Sequence, residues 1–420
     1  MSLVYIGYVP HPAILVPDVG RGEERASQKT IKGFQKLAQE IVKMDVKTVL
    51  IVSPHTVLTR QGMTLLQGNN LTGSLRNFGA GHIRFSYETD LNVMKAIKEQ
   101  IVDIEDTENE LGHRVMVPLY FLREAGWDGK IVVLGMPLNN AEEYGKRVGQ
   151  ILNDSSDRCA ILASGDLSHR LKEDGPYGLH PSGPKFDNLI VKGLQKDTAM
   201  IRTIPSALRE EAGQCGYNSL LFALGAREGS IKVFSYEGPF GVGYLVAEIY
   251  RSSPIAGFAR ECLTYHLTAQ AFDKLVIPGD PLLKEKKSCF VTLKKDGELR
   301  GCIGTVQPVR ENLASEIKHN AIAAGTQDPR FWPVEANELP LITFSVDVLG
   351  DLEKISSYDM LDPQKYGVVV RRGGRVGLLL PRLEGVNTVD EQVRIAKQKA
   401  GIAPDEEVEL WRFEVQRYFE

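Results

Sequence analysis

Apolar positions in the first 250 residues follow two alternating patterns. Leu3 to Val9, Thr48 to Ser53, Ile131 to Leu134 and Ala160 to Ala163 are short aliphatic runs, as expected of strands covered on both faces. Between them apolar residues return at helical spacing. Ile31, Phe34, Leu37, Ala38, Ile41 and Val42 do so within Arg25 to Met44, and Tyr144, Val148, Ile151 and Leu152 within Ala141 to Leu152. Each set forms one apolar stripe on a helix. Buried strands alternating with such helices predict an α/β domain, a central sheet flanked by helices, with Val242 to Tyr250 as a closing strand.

At Arg251-Ser252-Ser253-Pro254 the pattern breaks on polar residues and proline, which places a domain boundary there. The domains are expected at 1–251 and 254–420. A helix carrying Ile255, Phe258, Ala259, Cys262, Leu263 and His266 opens the second, and hairpin patterns follow. Cys289 to Leu293 and Leu299 to Val306 flank a Lys295-Asp296-Gly297 turn, and Val368 to Arg371 and Arg375 to Leu380 flank Gly373-Gly374. Tight glycine turns between apolar runs are the hairpin signal, so the second domain is expected to be α+β.

The length of 420 residues, with 43% hydrophobic and 25% charged residues, suits two soluble domains with cores of their own. Fifty basic against 54 acidic residues leave a net charge of -4. No bulk basic field exists to hold a phosphate backbone, so nucleic acid is not expected as a partner. No apolar run approaches the length that spans a bilayer. The opening MSLVYIGYVPHPAILVP has neither a basic leader nor a cleavage pattern, so the expected location is the cytoplasm. Five cysteines with no CxxC argue against a zinc ribbon or a disulfide scaffold and suit a reducing compartment.

Of eight histidines, three share a setting. His11 follows the first strand in Val9-Pro10-His11-Pro12, His55 follows another in Ser53-Pro54-His55, and His169 closes Ser164-Gly165-Asp166-Leu167-Ser168-His169 after a third. Ligands of open α/β sheets gather beyond the carboxyl ends of strands, so the three can converge to bind a metal or move protons. His113, in Leu111-Gly112-His113, precedes an apolar helix. Asp166 is placed to orient His169 or a metal-bound water. His82, His266 and His319 are expected to be ordinary surface or core residues, and His180 is open between a loop residue and a substrate contact.

With these segments in their order, residues 1 to about 250 resemble the class III extradiol dioxygenases, and more closely their Memo-like branch. The matching pieces are Pro10-His11-Pro12, Ser53-Pro54-His55, Gly112-His113 with Val117-Pro118-Leu119, Ser164 to His169, and Glu211-Ala212-Gly213-Gln214-Cys215-Gly216. The resemblance implies a mononuclear non-haem Fe(II) site with His11 and His55 as ligands. It also implies His169 as acid/base and His113 as a further pocket histidine. The glutamate that completes the dioxygenase ligand set is missing, and Asn218 stands near its place. Memo-like proteins carry a cysteine in this segment, matched by Cys215. Glu210 and Glu211 remain carboxylate candidates. A thiolate ligand softens the site and brings zinc or copper into range beside Fe(II).

In the second domain, Leu299-Arg300-Gly301-Cys302-Ile303-Gly304-Thr305 puts two glycines inside a strand, which calls for a bulge or a close backbone approach. Arg300 and Cys302 fall on one face, where a guanidinium would lower an exposed thiol's pKa. This string, Asp328-Pro329-Arg330-Phe331 after Asn320, and Gly377-Leu378-Leu379-Leu380-Pro381 resemble the AMMECR domain family over roughly 255–420. A fusion of Memo-like and AMMECR domains resembles the AmmeMemoRadiSam system proteins, which implies a radical SAM protein as partner. Two functions follow. One is an extradiol dioxygenase-like oxidoreductase acting on a small hydroxylated or catecholic substrate; the other is a non-enzymatic metal adaptor or carrier serving the radical SAM protein. A zinc hydrolase is a third reading, for which no GxSxG or HExxH speaks.

Overall fold

The computed structural model describes residues 2–54, 62–101, 103–107, 110–295, 297–383 and 385–420. The chain divides into two compact units, Met1–Arg251 and Ser252–Glu420. Among the described residues, no helix is long and apolar enough to cross a membrane.

The first unit contains strands β1 (Leu3–Val9), β2 (Thr48–Ser53), β3 (Met63–Leu66), β4 (Asn70–Leu75), β5 (Ala80–Glu88), β6 (Ile104–Thr107), β7 (Lys130–Gly135), β8 (Cys159–Ser164), β9 (Lys232–Glu237) and β10 (Tyr244–Arg251). Eight of them form one mixed sheet in the order β6-β3-β7-β2-β8-β1-β10-β9, and β4 pairs with β5 separately. The centre, β7-β2-β8-β1, is parallel. Every residue of β1, β2 and β8 is buried. That is why the runs are continuously aliphatic: successive side chains point to opposite faces, and both faces are covered. Val49, Ile51, Ile131, Val133, Ala160 and Leu162 join one core with Phe34, Leu37 and Ile41 of the helix Gln28–Lys43 and Met116, Leu119 and Leu122 of the helix His113–Glu124. The helices Ala141–Asn153 and Tyr217–Ala226 pack closely together. Their backbones touch where added Cβ atoms on Gly145 and Gly149 would lie 2.0 and 2.1 Å from the carbonyl oxygens of Phe222 and Ala226.

The second unit contains strands β11 (Cys289–Lys295), β12 (Glu298–Gly304), β13 (Ile342–Leu349), β14 (Glu353–Ile355), β15 (Gly367–Arg372), β16 (Arg375–Leu379), β17 (Glu409–Phe413) and β18 (Val415–Phe419). They form two four-stranded antiparallel sheets, β12-β11-β13-β18 and β14-β17-β15-β16. Both expected hairpins are present as β11–β12 and β15–β16; Asp296, in the first turn, lies outside the described residues. Pro254 begins the helix Pro254–Leu267, and Ser253 caps it by accepting from the Ile255 amide, a start that proline favours because its missing N–H is not needed there.

Gly301 provides the close approach its position in a strand calls for: a Cβ there would lie 2.1 Å from the Ala324 carbonyl of the helix Leu313–Thr326. The expected thiol activation by Arg300 does not occur. Arg300 is bound to Glu338 at 2.9 Å and to the Trp332 carbonyl at 2.8 Å. Burial instead pushes the Cys302 thiol up, since a charged sulfur is disfavoured away from water. Asp328 accepts from the Cys302 amide at 2.8 Å and pairs with Arg330 at 2.6 Å. That pairing holds its carboxyl down at about 2.

Candidate metal centre

The register of the central strands builds the site. In the parallel pair β1–β8, Val9 lies opposite Ser164. His11 and Asp166 each follow two residues later, so both leave the same rim side by side. The His11 amide donates to Asp166 Oδ1 at 3.1 Å, and His11 Nε2 lies 3.5 Å from Asp166 Oδ2. Cys215 arrives from the turn between the helices Ser206–Ala212 and Tyr217–Ala226. Its Sγ lies 3.8 Å from His11 Nε2 and accepts from the Asp166 amide at 3.3 Å. In return Asp166 O accepts from the Gly216 amide at 2.8 Å and the Cys215 amide at 3.3 Å. This exchange needs two glycines face to face: a Cβ on Gly165 would lie 2.4 Å from Gly216 Cα.

A relay fixes the His11 tautomer. Residue 118 is proline inside the helix His113–Glu124, so the carbonyl of Arg114, four residues before it, loses its usual helical donor. The Ser164 hydroxyl donates to that carbonyl at 2.9 Å. Its proton committed, Ser164 Oγ accepts from His11 Nδ1 at 2.9 Å. The imidazole therefore carries its proton on Nδ1 and turns the Nε2 lone pair toward Asp166 and Cys215, which is how metal-binding histidines are held.

One ligand atom from each of His11, Asp166 and Cys215 lies within 4.8 Å of the others. Donors around one transition ion stand roughly 3–4 Å apart, given bonds of about 2.0–2.3 Å. An imidazole, a carboxylate and a thiol at this spacing fit a single mononuclear ion, and burial sharpens the fit. Asp166 is pushed up to about 7 by desolvation. The Cys215 thiol is driven far up by desolvation and then by Asp166. Without a metal ion the thiol keeps its proton and Asp166 holds one up to about pH 7.

The surroundings are aromatic and cationic. His113 lies edge-on to His11 with ring centres 6.4 Å apart, and Phe78 packs on His113 at 4.9 Å. Burial, then Arg114, lower His113 to about 4. His169 stacks on Tyr177 at 5.1 Å and is likewise lowered by burial and by Arg114. Its Nε2 is buried with no hydrogen-bond partner among the described residues. A cavity of about 550 Å³ reaches Cys215 past Pro54, Asn139, Arg209 and Asn218, and another of about 340 Å³ reaches His113 and Arg114 past Ser53 and Phe78.

Several expectations change. Asp166 sits against His11 rather than orienting His169, and it is the carboxylate of the cluster. Glu211 is not part of it, since it accepts from the Ser182 hydroxyl. Glu210 lines the larger cavity without joining the three donors. Asn218 donates to the carbonyl oxygens of Pro137 and Leu138. His180 accepts from the Ser182 amide at the start of the helix Ser182–Lys196, a structural task. His55 lies outside the described residues. Ser164 and Arg114 were not singled out from the sequence; the one signal for them is Pro118, four residues after Arg114.

Behind the site, Asp187 is 1% exposed and accepts from the Ser168 amide at 2.8 Å and the Tyr236 hydroxyl at 2.7 Å. Burial nevertheless pushes it up to about 7. An unfolded carboxyl titrates near ~4, so the folded chain holds an extra proton between about pH 4 and pH 7 and loses stability as pH rises through that window. Asp187→Asn is expected to remove this slope. Urea unfolding at pH 5 and pH 8 should show the wild type losing on the order of 2 kcal/mol more than the variant. Parallel pH profiles would place the proton elsewhere.

Residues 5–247 match the family described as the catalytic LigB subunit of aromatic ring-opening dioxygenase, and residues 256–418 match AMMECR1. A protein of Clostridium acetobutylicum is 37% identical over 468 aligned positions covering 100% of both chains. One of Thermotoga maritima is 57% identical over 153 positions, 35% of this chain and 88% of its own. Among solved structures, an Escherichia coli K12 protein aligns with a TM-score of 0.41 at 15% identity, over 59% of this chain and 99% of that one.

Proposed function

Because the chain belongs to the family of the catalytic LigB subunit of aromatic ring-opening dioxygenase and carries an AMMECR1 unit after it, we propose that its first unit is a mononuclear metal-dependent oxidoreductase of the extradiol type. Its substrate is a small hydroxylated or catecholic compound. The observation that carries this reading is the meeting of His11, Asp166 and Cys215 at one rim of the sheet.

These three would hold the ion, Fe(II) in the first instance, with zinc and copper also suited to a thiolate. His55, two residues beyond the end of β2 at Ser53, is proposed as a further donor. The ion would supply Lewis acidity toward a substrate hydroxyl and redox capacity toward O₂. The remaining work belongs to the chain. His169 is neutral at pH 7 because burial lowers it, and its Nε2 has no partner among the described residues, so it can take a proton from a substrate hydroxyl and return it later. His113, lowered to about 4, stays neutral and offers a hydrogen bond without adding charge. Ser164 keeps the His11 lone pair turned inward.

The test is metal content after anaerobic purification, followed by O₂ uptake with a panel of catechols. Stoichiometric iron and catechol-dependent O₂ consumption are expected. A protein that takes up no iron, copper or zinc would sink the reading. Tight metal binding with no turnover would point to a carrier, and co-purification of a radical SAM protein would then identify what it serves.

A further inference from the structure

The sheet β12-β11-β13-β18 of the second unit turns one face to helices and the other to the second sheet. Val291, Leu293, Phe344 and Val346 join a core with Ile255 and Phe258 of the helix Pro254–Leu267 and Ile317 of the helix Leu313–Thr326. Their neighbours along each strand point the opposite way, and on that face Phe290 packs with Val369, Leu378 and Phe413. The next row on the same face is not apolar. The register sets Cys302 opposite Thr292 and Thr292 opposite Ser345, so a thiol and two hydroxyls lie side by side across three strands. All three residues are half-buried. Thr292 Oγ1 donates to Cys302 Sγ at 3.3 Å, and among the described residues the Ser345 hydroxyl has no hydrogen-bond partner.

Two cations stand at the thiol end of this row. Arg330 spends Nε and Nη2 on Asp328, and Nη2 also reaches the Cys302 carbonyl at 3.4 Å. Its Nη1 is left without a partner among the described residues. Lys399 ends the helix Val389–Lys399 and is within electrostatic reach of both Cys302 and Arg330. Among the described residues it has no hydrogen bond or ion pair. The two carboxylates that act on Cys302 are already matched, Asp328 by Arg330 and Asp347 by Arg417, so Lys399 lacks a counter-charge. Like charges brought together repel, and an anion received between them removes that cost and gains hydrogen bonds from both.

We propose that Cys302, Thr292 and Ser345 form the floor of a ligand site in the second unit, which takes a small compound whose oxyanion, a carboxylate or a phosphate, is gripped by Lys399 and Arg330. The Ser345 hydroxyl is placed to donate to the rest of the compound. The glycines on either side of Cys302 serve this placement. Gly301 lets the strand lie against the Ala324 carbonyl, and Gly304 leaves room for the Phe290 ring, which would be 2.3 Å from a Cβ there. The site lies wholly within the second unit and does not depend on the oxidoreductase reading.

The experiment uses the thiol of the full-length protein as a reporter. Cys302 sulfur displaces iodide from iodoacetate or iodoacetamide, forming a thioether and releasing its proton to solvent, and peptide mass spectrometry reads the rate at this residue alone. A thiolate in water repels the anionic reagent, so the neutral one is ordinarily the faster. At Cys302 that order is expected to reverse. Lys399→Met should lower the ratio of the iodoacetate rate to the iodoacetamide rate about fivefold or more, and Lys399→Arg should keep it; a change in the thiolate fraction cancels in the ratio. Lys399→Gln gives the same comparison should the methionine variant fail to fold. Inorganic phosphate or acetate should slow the labelling, and the stronger protector assigns the oxyanion as phosphate or carboxylate. An iodoacetamide rate that stays the higher, a ratio that survives loss of Lys399, protection by neither anion, or a thiol that neither reagent reaches overturns the inference.

Discussion

Metal affinity is expected to fall by roughly a hundredfold or more in His11→Ala, judged against the 10–100-fold that loss of a supporting partner of a ligand costs. The imidazole is the one donor of the three that needs no deprotonation, because the Ser164 relay leaves its Nε2 lone pair ready. Without it, the ion would face a carboxyl raised to about 7 and a thiol raised further. Ser164→Ala should cost less, about tenfold, since it frees the ring to choose the wrong tautomer but removes no ligand. Chelator competition at pH 8 followed by metal analysis reads both. The pH dependence is fixed in sign. Asp166 must lose its proton for the ion to bind, so affinity should drop about tenfold per pH unit below about 7, with Cys215 adding a second proton. Affinity that stays level from pH 8 to pH 6, or a His11→Ala protein that keeps its metal, would remove the cluster as the binding site.

The second large effect is on the fold. Gly216→Ala would put a Cβ 1.9 Å from the Tyr8 hydroxyl and 2.8 Å from the Asp166 carbonyl oxygen. Neither can retreat cheaply: Tyr8 lies on the buried β1, and the Asp166 carbonyl holds the Cys215 and Gly216 amides. Overpacking of this kind costs about 3 kcal/mol, or roughly 6–12 °C in melting temperature for a unit of this size. Tyr8→Phe in the same chain should recover part of the loss by removing the hydroxyl. A single Gly216→Ala variant that melts with the wild type would mean that the two backbones can separate freely.

The sheet could be drawn from the sequence where burial is complete. β1 and β2 run over the residues their aliphatic runs mark, because a strand covered on both faces is filled mostly by apolar side chains, with polar ones such as Thr48 and Ser53 at its ends. The hairpins of the second unit were announced by their glycine turns for an equally local reason. Between residues 62 and 107 the chain hides its strands. β4 is exposed at Asn70 and Thr72 and only partly buried at Gly73 and Ser74, so no period stands out, and β3 and β6 have four residues each. At the site, His11 was found from its place after a strand, and Cys215 came from family resemblance. Asp166, expected from the sequence to orient His169 or a metal-bound water, lies against His11. The distance of three residues to His169 suggested a local pair, whereas the β1–β8 register sets Asp166 against His11, 155 residues away in sequence. Ser164 and Arg114 act through a carbonyl that Pro118 leaves without its donor, a consequence of backbone geometry that residue spacing does not carry.

The hold of the Cys215 and Gly216 amides on the Asp166 carbonyl, returned by the Asp166 amide to Cys215 Sγ, bears on ion choice. An arriving ion meets donors already assembled by the sheet, so swapping one species for another demands no refolding of the rim. On the proposed reading, discrimination would then pass from the scaffold to supply, and the ion that the surroundings deliver in excess would occupy the seat.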